Sequence, residues 1–370
     1  MFRKIKGQES TLELLQKAIE HDRISQAYLF HGSDGVGKFM TALYFGMAVN
    51  CAAINQLKPC GICSSCHKFL SLEHPDFLYV FPTPILNLNA EGEIKNSDVA
   101  KQYQAYLKNK ISTPWQEFFF KEITEIRKES IGLLSKRLEL SIHEARYRIV
   151  IIENADMMNI PTANAFLKTL EEPPSDTVII MITERMQMML PTIISRTQPV
   201  YFKPLTRGIV ESILINQFEV SDALARTASR ISAGNLKTAI RIGSDNASPL
   251  RDWAFEIITL AAKSDELGFL ALMDKNKDRQ KKDQLIELLK YVRIIISDLA
   301  TLSTESETDI TNIDMIDTLK DIAKNKTELS SKTYEYLLWL EDLNRKIDGN
   351  VNLNLVILNL FLKTKNLLSA

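Results

Sequence analysis

A surplus of either charge is the first thing this sequence lacks: 45 Lys and Arg stand against 46 Asp and Glu, a net charge of −1. Proteins that grip nucleic acid through a broad basic surface are visibly basic, so any DNA contact is expected to be local. Long apolar runs are missing as well. Met1-Phe2-Arg3-Lys4 opens no signal stretch. The most apolar segment, 351–362, is short and interrupted by Asn352, Asn354 and Asn359. Together these absences predict a cytoplasmic chain with no membrane contact. Cysteine is scarce, with four in 370 residues, and in a reducing compartment such thiols read as metal ligands or core side chains rather than disulfides. Glycine is scarce beyond residue 250, where almost everything carries helical periodicity, which predicts an all-α region. There is no internal repeat and no low-complexity tract.

What is present suffices for two or three domains with real cores: 370 residues, 45% hydrophobic and 25% charged. Leu12, Leu15, Ala18 and Ile19 share one face of a predicted helix over 8–22. Ala27 to His31 is a short apolar run leading through a glycine-rich turn into helical residues 38–50. Pro82, Pro84, Asn87, Asn89 and Gly92 mark a polar surface insertion, 82–120, with one helix near 97–110. A helical region follows at 120–140. Residues 148–152 and 177–183 read as buried strands around a helix at 161–172, which Pro173-Pro174 stops. Alternating strands and helices predict a parallel sheet with right-handed crossovers. Residues 206–243 read as a small helical unit.

Gly32-Ser33-Asp34-Gly35-Val36-Gly37-Lys38 fits G-x-x-x-x-G-K between a strand and a helix. The glycines let backbone N–H groups turn toward a phosphate, the helix N-terminus adds positive potential, and Lys38 adds a mobile charge. A glycine-rich turn that binds nothing is the alternative. The next position normally carries the Ser or Thr hydroxyl that ligates Mg²⁺; here it is Phe39, which cannot coordinate a hard cation. Thr41 lies a helical rotation of about 200° away and does not substitute.

A second acidic motif ends the strand at Ile149-Val150-Ile151-Ile152-Glu153-Asn154. An Asp-Glu ending would steady magnesium and polarise the attacking water. Glu153 can still serve the metal, but Asn154 carries no charge and is no general base. Asp156 is either a stand-in or the N-terminal charge of the next helix. Phe39 and Asn154 together argue for weak or absent hydrolysis.

Cys51, Cys60, Cys63 and Cys66 form C-x8-C-x2-C-x2-C, a spacing that favours a closed, structural Zn²⁺ site of four thiolates. Free core thiols, or a site using His67, are the alternatives. His21, His31, His74 and His143 have no metal-like spacing, and the methionines at 181, 186, 188 and 189 read as packing.

Across most of residues 1–240 the sequence resembles the bacterial DNA polymerase III clamp-loader subunits, gamma/tau and above all delta-prime, which are AAA+ proteins. Gly7-Gln8 is similar to the family's opening signature, and 23–30 to its first strand approach. Asn164-Ala165-Phe166-Leu167-Lys168-Thr169-Leu170-Glu171-Glu172-Pro173-Pro174 is the most specific match. Leu190-Pro191-Thr192-Ile193-Ile194-Ser195-Arg196-Thr197 resembles the segment ending in Ser-Arg-Cys, with Thr197 replacing the Cys. The resemblance implies that Arg196, after a strand-like segment, is an arginine finger reaching a neighbour's nucleotide; a surface salt bridge is the alternative. Thr183 matches the position called sensor 1. Gly234-Asn235-Leu236-Lys237 matches sensor 2, where an active subunit has Arg; Lys237 makes no bidentate contact.

The fold expected is thus an α/β AAA+ P-loop domain with a parallel sheet over 1–205, carrying the zinc module (51–66) and the insertion. A helical lid (206–245) and an all-α collar (246–370) follow. The implied role is a delta-prime-type subunit in a hetero-oligomeric ring with gamma/tau and delta, assisting ATP-driven loading of the sliding clamp on primer-template DNA. The degenerate nucleotide site would be Gly32, Gly35, Gly37, Lys38, Glu153, Thr183 and Lys237, with ATP or ADP binding in doubt and zinc structural. An active gamma/tau-type ATPase is the main alternative, and a zinc-dependent DNA-binding protein with a vestigial fold is a further one.

Overall fold

Short runs, the three central ones largely apolar, build one parallel sheet: β1 (Ala27–His31), β2 (Phe77–Val80), β3 (Arg148–Ile152), β4 (Thr177–Thr183) and β5 (Gln198–Tyr201), in the order β2-β3-β4-β1-β5. The computed structural model describes residues 5–53, 58–89, 94–116, 118–244, 249–277, 281–304, 309–324, 329–347 and 351–369. The Met1-Phe2-Arg3-Lys4 opening and Gly92 lie outside them. In register, Tyr28 opposes Ile180 and Gln198, while Val150 opposes Ile179.

Because strand side chains alternate, each central strand feeds two cores. Ile149 and Ile151 face Phe30, Phe45, Met47 and Phe202, on the side covered by α1 (Glu9–Glu20), α2 (Lys38–Val49) and α3 (Ser64–Leu70). Val150 and Ile152 face Leu29, Leu134, Phe166 and Leu170 on the other side. The insertion contains α4 (Ser97–Ser112), and α5 (Lys128–Leu138) supplies Leu134. In α6 (Ile160–Glu171), Asn159 caps the first turn by accepting from Thr162 N at 3.0 Å, and Ala163, Phe166 and Leu170 form the buried stripe. Each large apolar side chain of these cores contributes about 1.5–3 kcal/mol by burial.

Two elements differ from the sequence reading. The strand-like segment before Arg196 is a one-turn helix, α7 (Pro191–Ile194), and the strand follows at 198–201. Pro191 at the first helical turn sets its φ for a helix, outweighing the β-branched pair Ile193-Ile194. Strand β2, which the sequence pattern does not mark, lies just after the cysteine segment.

Contacts divide the chain into two compact units: Met1–Ile209 with Ala233–Lys237, and Val210–Ser232 with Thr238–Ala370. Residues 206–245 are therefore shared between the two. The described part of the second unit is all helical, from most of α8 (Arg207–Phe218) through α9 (Asp222–Ile231), the larger part of α10 (Leu236–Gly243), and then α11 (Pro249–Ala262) to α16 (Leu353–Leu368). Trp253, Leu285, Val292 and Ile296 sit in its core, with Phe269 and Phe361 stacked at 4.0 Å. A buried polar knot fixes residues 311–314: Arg251 donates to Asn312 Oδ1 and to both Asp314 carboxylate oxygens, and Asp298 accepts from Asn312. Among the described residues no helix is long and apolar enough to cross a membrane.

Candidate functional site

Crossovers of a parallel sheet leave the carboxyl ends of the strands open, and it is there that ligands bind. The phosphate-loop residues follow β1, Glu153 follows β3, and Thr183 ends the β4 strand lying between them. Gly32 and Gly35 cannot carry a side chain. Their φ angles are +143° and +67°, and a Cβ would meet Phe202 O at 2.2 Å and Asn235 Oδ1 at 2.0 Å respectively. The loop is thus pressed between β5 and the 233–237 segment. Gln8 fastens it: its Nε2 donates to Val36 O and Lys203 O, and its Oε1 accepts from Lys203 N.

Lys38 is buried, and its Nζ donates to Gly32 O at 2.8 Å and to Ser33 O. Burial lowers its pKa below the ordinary lysine value. Lys237 Nζ lies 2.8 Å from Asp34 Oδ1. Burial works against both charges, but their mutual attraction raises the lysine and lowers the aspartate. The structure therefore brings Gly32, Gly35, Gly37, Lys38, Glu153, Thr183 and Lys237 to one side of the sheet.

The side where the sequence pattern would place magnesium ligands has a different character. Phe39 is 8% exposed and packs on Tyr79 with ring centroids 5.3 Å apart. Glu153 accepts hydrogen bonds from Tyr79 and from Tyr106 Oη, and its Oε1 lies 2.6 Å from Lys110 Nζ. That ammonium also sits 4.2 Å from the centroid of the Phe39 ring. Burial pushes the Glu153 pKa up, but Lys110 and the donated hydrogen bonds bring it below the usual carboxylate value. Thr41 turns away and donates to Gly37 O at 2.9 Å. Asp156 is engaged by Thr183 Oγ1 at 2.7 Å and by Arg185 at 2.6 Å. These side chains do not fit a divalent cation: residue 39 offers no donor atom, and the carboxylate already has a cation.

No motif in the sequence singles out Lys110, Tyr79 or Tyr106. The signal that points toward them is aromatic: Tyr103, Tyr106, Trp115, Phe118, Phe119 and Phe120 crowd a stretch read as polar surface. Tyr106 packs 4.2 Å from Phe81 and 5.6 Å from Phe118 and Phe120. The insertion is polar in its loops and anchored by these rings.

The four cysteine thiols form a separate cluster, with all Sγ atoms within 4.8 Å of one another; Cys51 and Cys66 are buried. A tetrahedral ion with metal–sulfur bonds near 2.3 Å needs sulfurs about 3.8 Å apart, so the arrangement fits one. Backbone N–H groups of Ile62 and Cys63 pull the Cys60 thiol down to about 6, which favours the metal-binding thiolate. Burial pushes Cys66 up. His67 is exposed and stands outside the cluster.

Arg196 is elsewhere. It precedes β5, whose Gln198 pairs with Tyr28 near the start of β1, whereas the phosphate loop begins beyond His31 at the other end. Five strand residues at about 3.3 Å each separate the two ends. Arg196 therefore cannot serve its own pocket. It is partly exposed, with its NH2 2.7 Å from Glu171 Oε1 and its NH1 donating to Thr192 O.

Comparison with known proteins adds the following. Residues 7–206 match the family described as DNA polymerase III, delta subunit. The Bacillus subtilis protein named DNA polymerase III subunit delta' is 27% identical over 347 residues, covering 93% of this chain and 92% of that one. Bacillus subtilis DNA polymerase III subunit tau is 28% identical over 246 residues, 65% of this chain but 37% of tau. Among solved structures, a DNA polymerase III gamma subunit-related protein of Thermotoga maritima has a TM-score of 0.48 at 17% identity, covering 97% of this chain and 99% of that one.

Proposed function

The chain belongs to the DNA polymerase III delta subunit family, and on that premise we propose that it acts as a delta-prime-type clamp-loader subunit that does not hydrolyse ATP itself. In this reading Arg196 completes the nucleotide site of a neighbouring subunit in a ring with gamma/tau and delta, and the assembly places a sliding clamp on primed DNA. The observation that carries the first half is the Lys110–Glu153 pair at 2.6 Å beneath Phe39. A carboxylate neutralised there, beside a phenyl ring, leaves no partner for a catalytic metal, and Asn154 leaves no general base.

The second half is supported by position. An always-charged guanidinium at the strand end remote from its own loop can reach only another molecule's phosphates. Its hold on Glu171 is a partly exposed ion pair, worth about 0–1 kcal/mol and so readily exchanged for a phosphate. Zinc at Cys51, Cys60, Cys63 and Cys66 would be structural, since four thiolates leave no open coordination position.

The test is to assemble the complex with gamma/tau and delta partners twice, once from the wild-type chain and once from the Arg196→Ala variant. The substitution should leave the chain folded and the complex assembled while lowering ATP turnover by about 10³-fold at the site it completes. Full turnover in the Arg196→Ala complex would refute the finger. Turnover by the isolated chain that disappears in Lys38→Ala would instead favour an active motor.

A further inference from the structure

Helix α4 carries Tyr103, Tyr106 and Lys110 on one face, spaced three and four residues apart. The helix starts firmly: Asn96 Oδ1 accepts from Asp98 N at 2.9 Å and Val99 N at 3.3 Å. Its aromatic face is stapled over the end of β2, with Phe81 centred 5.2 Å from Tyr103 and 4.2 Å from Tyr106. The next group along that face is the Lys110 ammonium, and the rings deliver it into the phosphate pocket. There it is 9% exposed, 2.6 Å from Glu153 Oε1 and 4.2 Å from the centre of the Phe39 ring.

Those two contacts define a location. In a working phosphate loop, the residue after the lysine and the acidic residue ending the third strand hold Mg²⁺ between them. Here Phe39 and Glu153 occupy those two positions, and a monovalent organic cation lies against both. The three side chains are mutually consistent. A phenyl face attracts an ammonium but gives a hard divalent ion no oxygen. A glutamate reaches farther than the usual aspartate. The helix that brings the ammonium belongs to the insertion.

We propose that Lys110 is a built-in replacement for the divalent cation, so that this pocket excludes Mg²⁺ and meets nucleotide phosphates only in their metal-free form. Lys38 and Lys237 stand at the same pocket, each already drawn toward loop oxygens. With Lys110 they are three ammonium groups, two of them paired with Glu153 and Asp34, for an anionic polyphosphate that brings no metal of its own. The insertion thereby holds the pocket's electrostatics constant whatever the surrounding magnesium concentration.

The inference rests on Gly32–Lys38 being a phosphate loop, but it can fail separately from the arginine-finger reading, which is tested in the assembled complex. The decisive measurement uses the isolated full chain, with thermal unfolding and ATP titration in excess MgCl2 and in magnesium-free buffer without chelator. For wild type, and for Phe39→Thr alone, ATP should stabilise the chain without magnesium, and excess MgCl2, which converts nearly all the nucleotide to its magnesium complex, should weaken the apparent affinity by about tenfold or more. In Lys110→Met/Phe39→Thr, which removes the ammonium and restores a hydroxyl, MgCl2 should tighten ATP by about tenfold or more. A merely structural lysine would not alter magnesium dependence. No response to ATP in wild type without magnesium, tightening by MgCl2 in wild type or in Phe39→Thr alone, or no tightening in the folded double variant would each overturn the proposal. If the double variant does not fold, the wild-type and Phe39→Thr measurements still decide it.

Discussion

Removing the Lys110 ammonium while keeping its stem tests the energetics of the pocket directly. Lys110→Met preserves the apolar volume against Phe39 and leaves Glu153, 11% exposed, without its cation. Breaking one side of a buried pair costs about 3–5 kcal/mol. Tyr79 and Tyr106 still donate to the carboxylate, which places the expectation near the lower end, about 3 kcal/mol. For a unit of this size that corresponds to a fall in Tm of about 6–12 °C at neutral pH.

The pH dependence carries a definite sign. In the wild type Glu153 has a depressed folded pKa, because Lys110 and the hydrogen bonds outweigh burial. The pair therefore stabilises above the unfolded carboxylate range and loses that contribution as pH falls through the folded pKa. Without Lys110, burial dominates and the folded pKa rises above the unfolded one. The variant is then penalised most at neutral pH and recovers as Glu153 takes up a proton. Thermal unfolding followed by circular dichroism between about pH 5 and 8 should show the gap between variant and wild type closing toward acid. Adding Glu153→Gln to Lys110→Met should recover much of the loss at neutral pH, since replacing both charges removes the stranded one. A Lys110→Met chain that melts within about 2 °C of wild type at neutral pH would refute the buried pair.

Two further outcomes are expected. The Asp76 carboxylate accepts from the backbone N–H groups of His143, Glu144 and Ala145 at 2.8–2.9 Å, and although burial opposes it, these bonds hold its pKa below the ordinary value. Asp76→Ala should cost about 1–3 kcal/mol in urea unfolding at neutral pH, and its deficit should shrink as pH falls through the wild-type carboxylate's pKa; a constant deficit down to strong acid would contradict this. Purified chain should contain about one zinc per molecule, and chelation, or Cys63→Ser, should lower the melting temperature and abolish stoichiometric metal. Metal-free protein with unchanged melting would show the thiols to be packing alone.

Much of the architecture is legible because it is written in local pattern. The strands at 27–31, 148–152 and 177–183 are continuous apolar runs, and the turn at 32–38 needs glycines wherever it is found. Helix α6 is bounded by Asn159 and by the prolines after it. Strands β2 and β5 are less legible. Each is four residues long, and β5 contains Pro199, which an edge strand tolerates but which no strand pattern favours. Arg196 is recognisable from its neighbours in sequence. The segment before it is not, because two isoleucines suggest a strand where a proline starts a helical turn.

The chemistry that is missing needed no fold to be read: a phenylalanine cannot ligate magnesium and an asparagine cannot take a proton, wherever the chain places them. The thiol spacing is of the same kind, since C-x2-C steps bring sulfurs together over a single turn of chain. What stands in place of the magnesium ligands is a matter of tertiary packing alone. Lys110 is 43 residues from Glu153 and farther still along the chain from Phe39, so no periodicity connects the three. They meet because aromatic packing on Phe81 docks a helix whose own sequence reads as ordinary polar surface. Likewise, it took the parallel sheet to put Arg196 and the phosphate loop at opposite ends of adjacent strands. Strand direction is a property of pairing, and pairing is set by contacts distant in the chain.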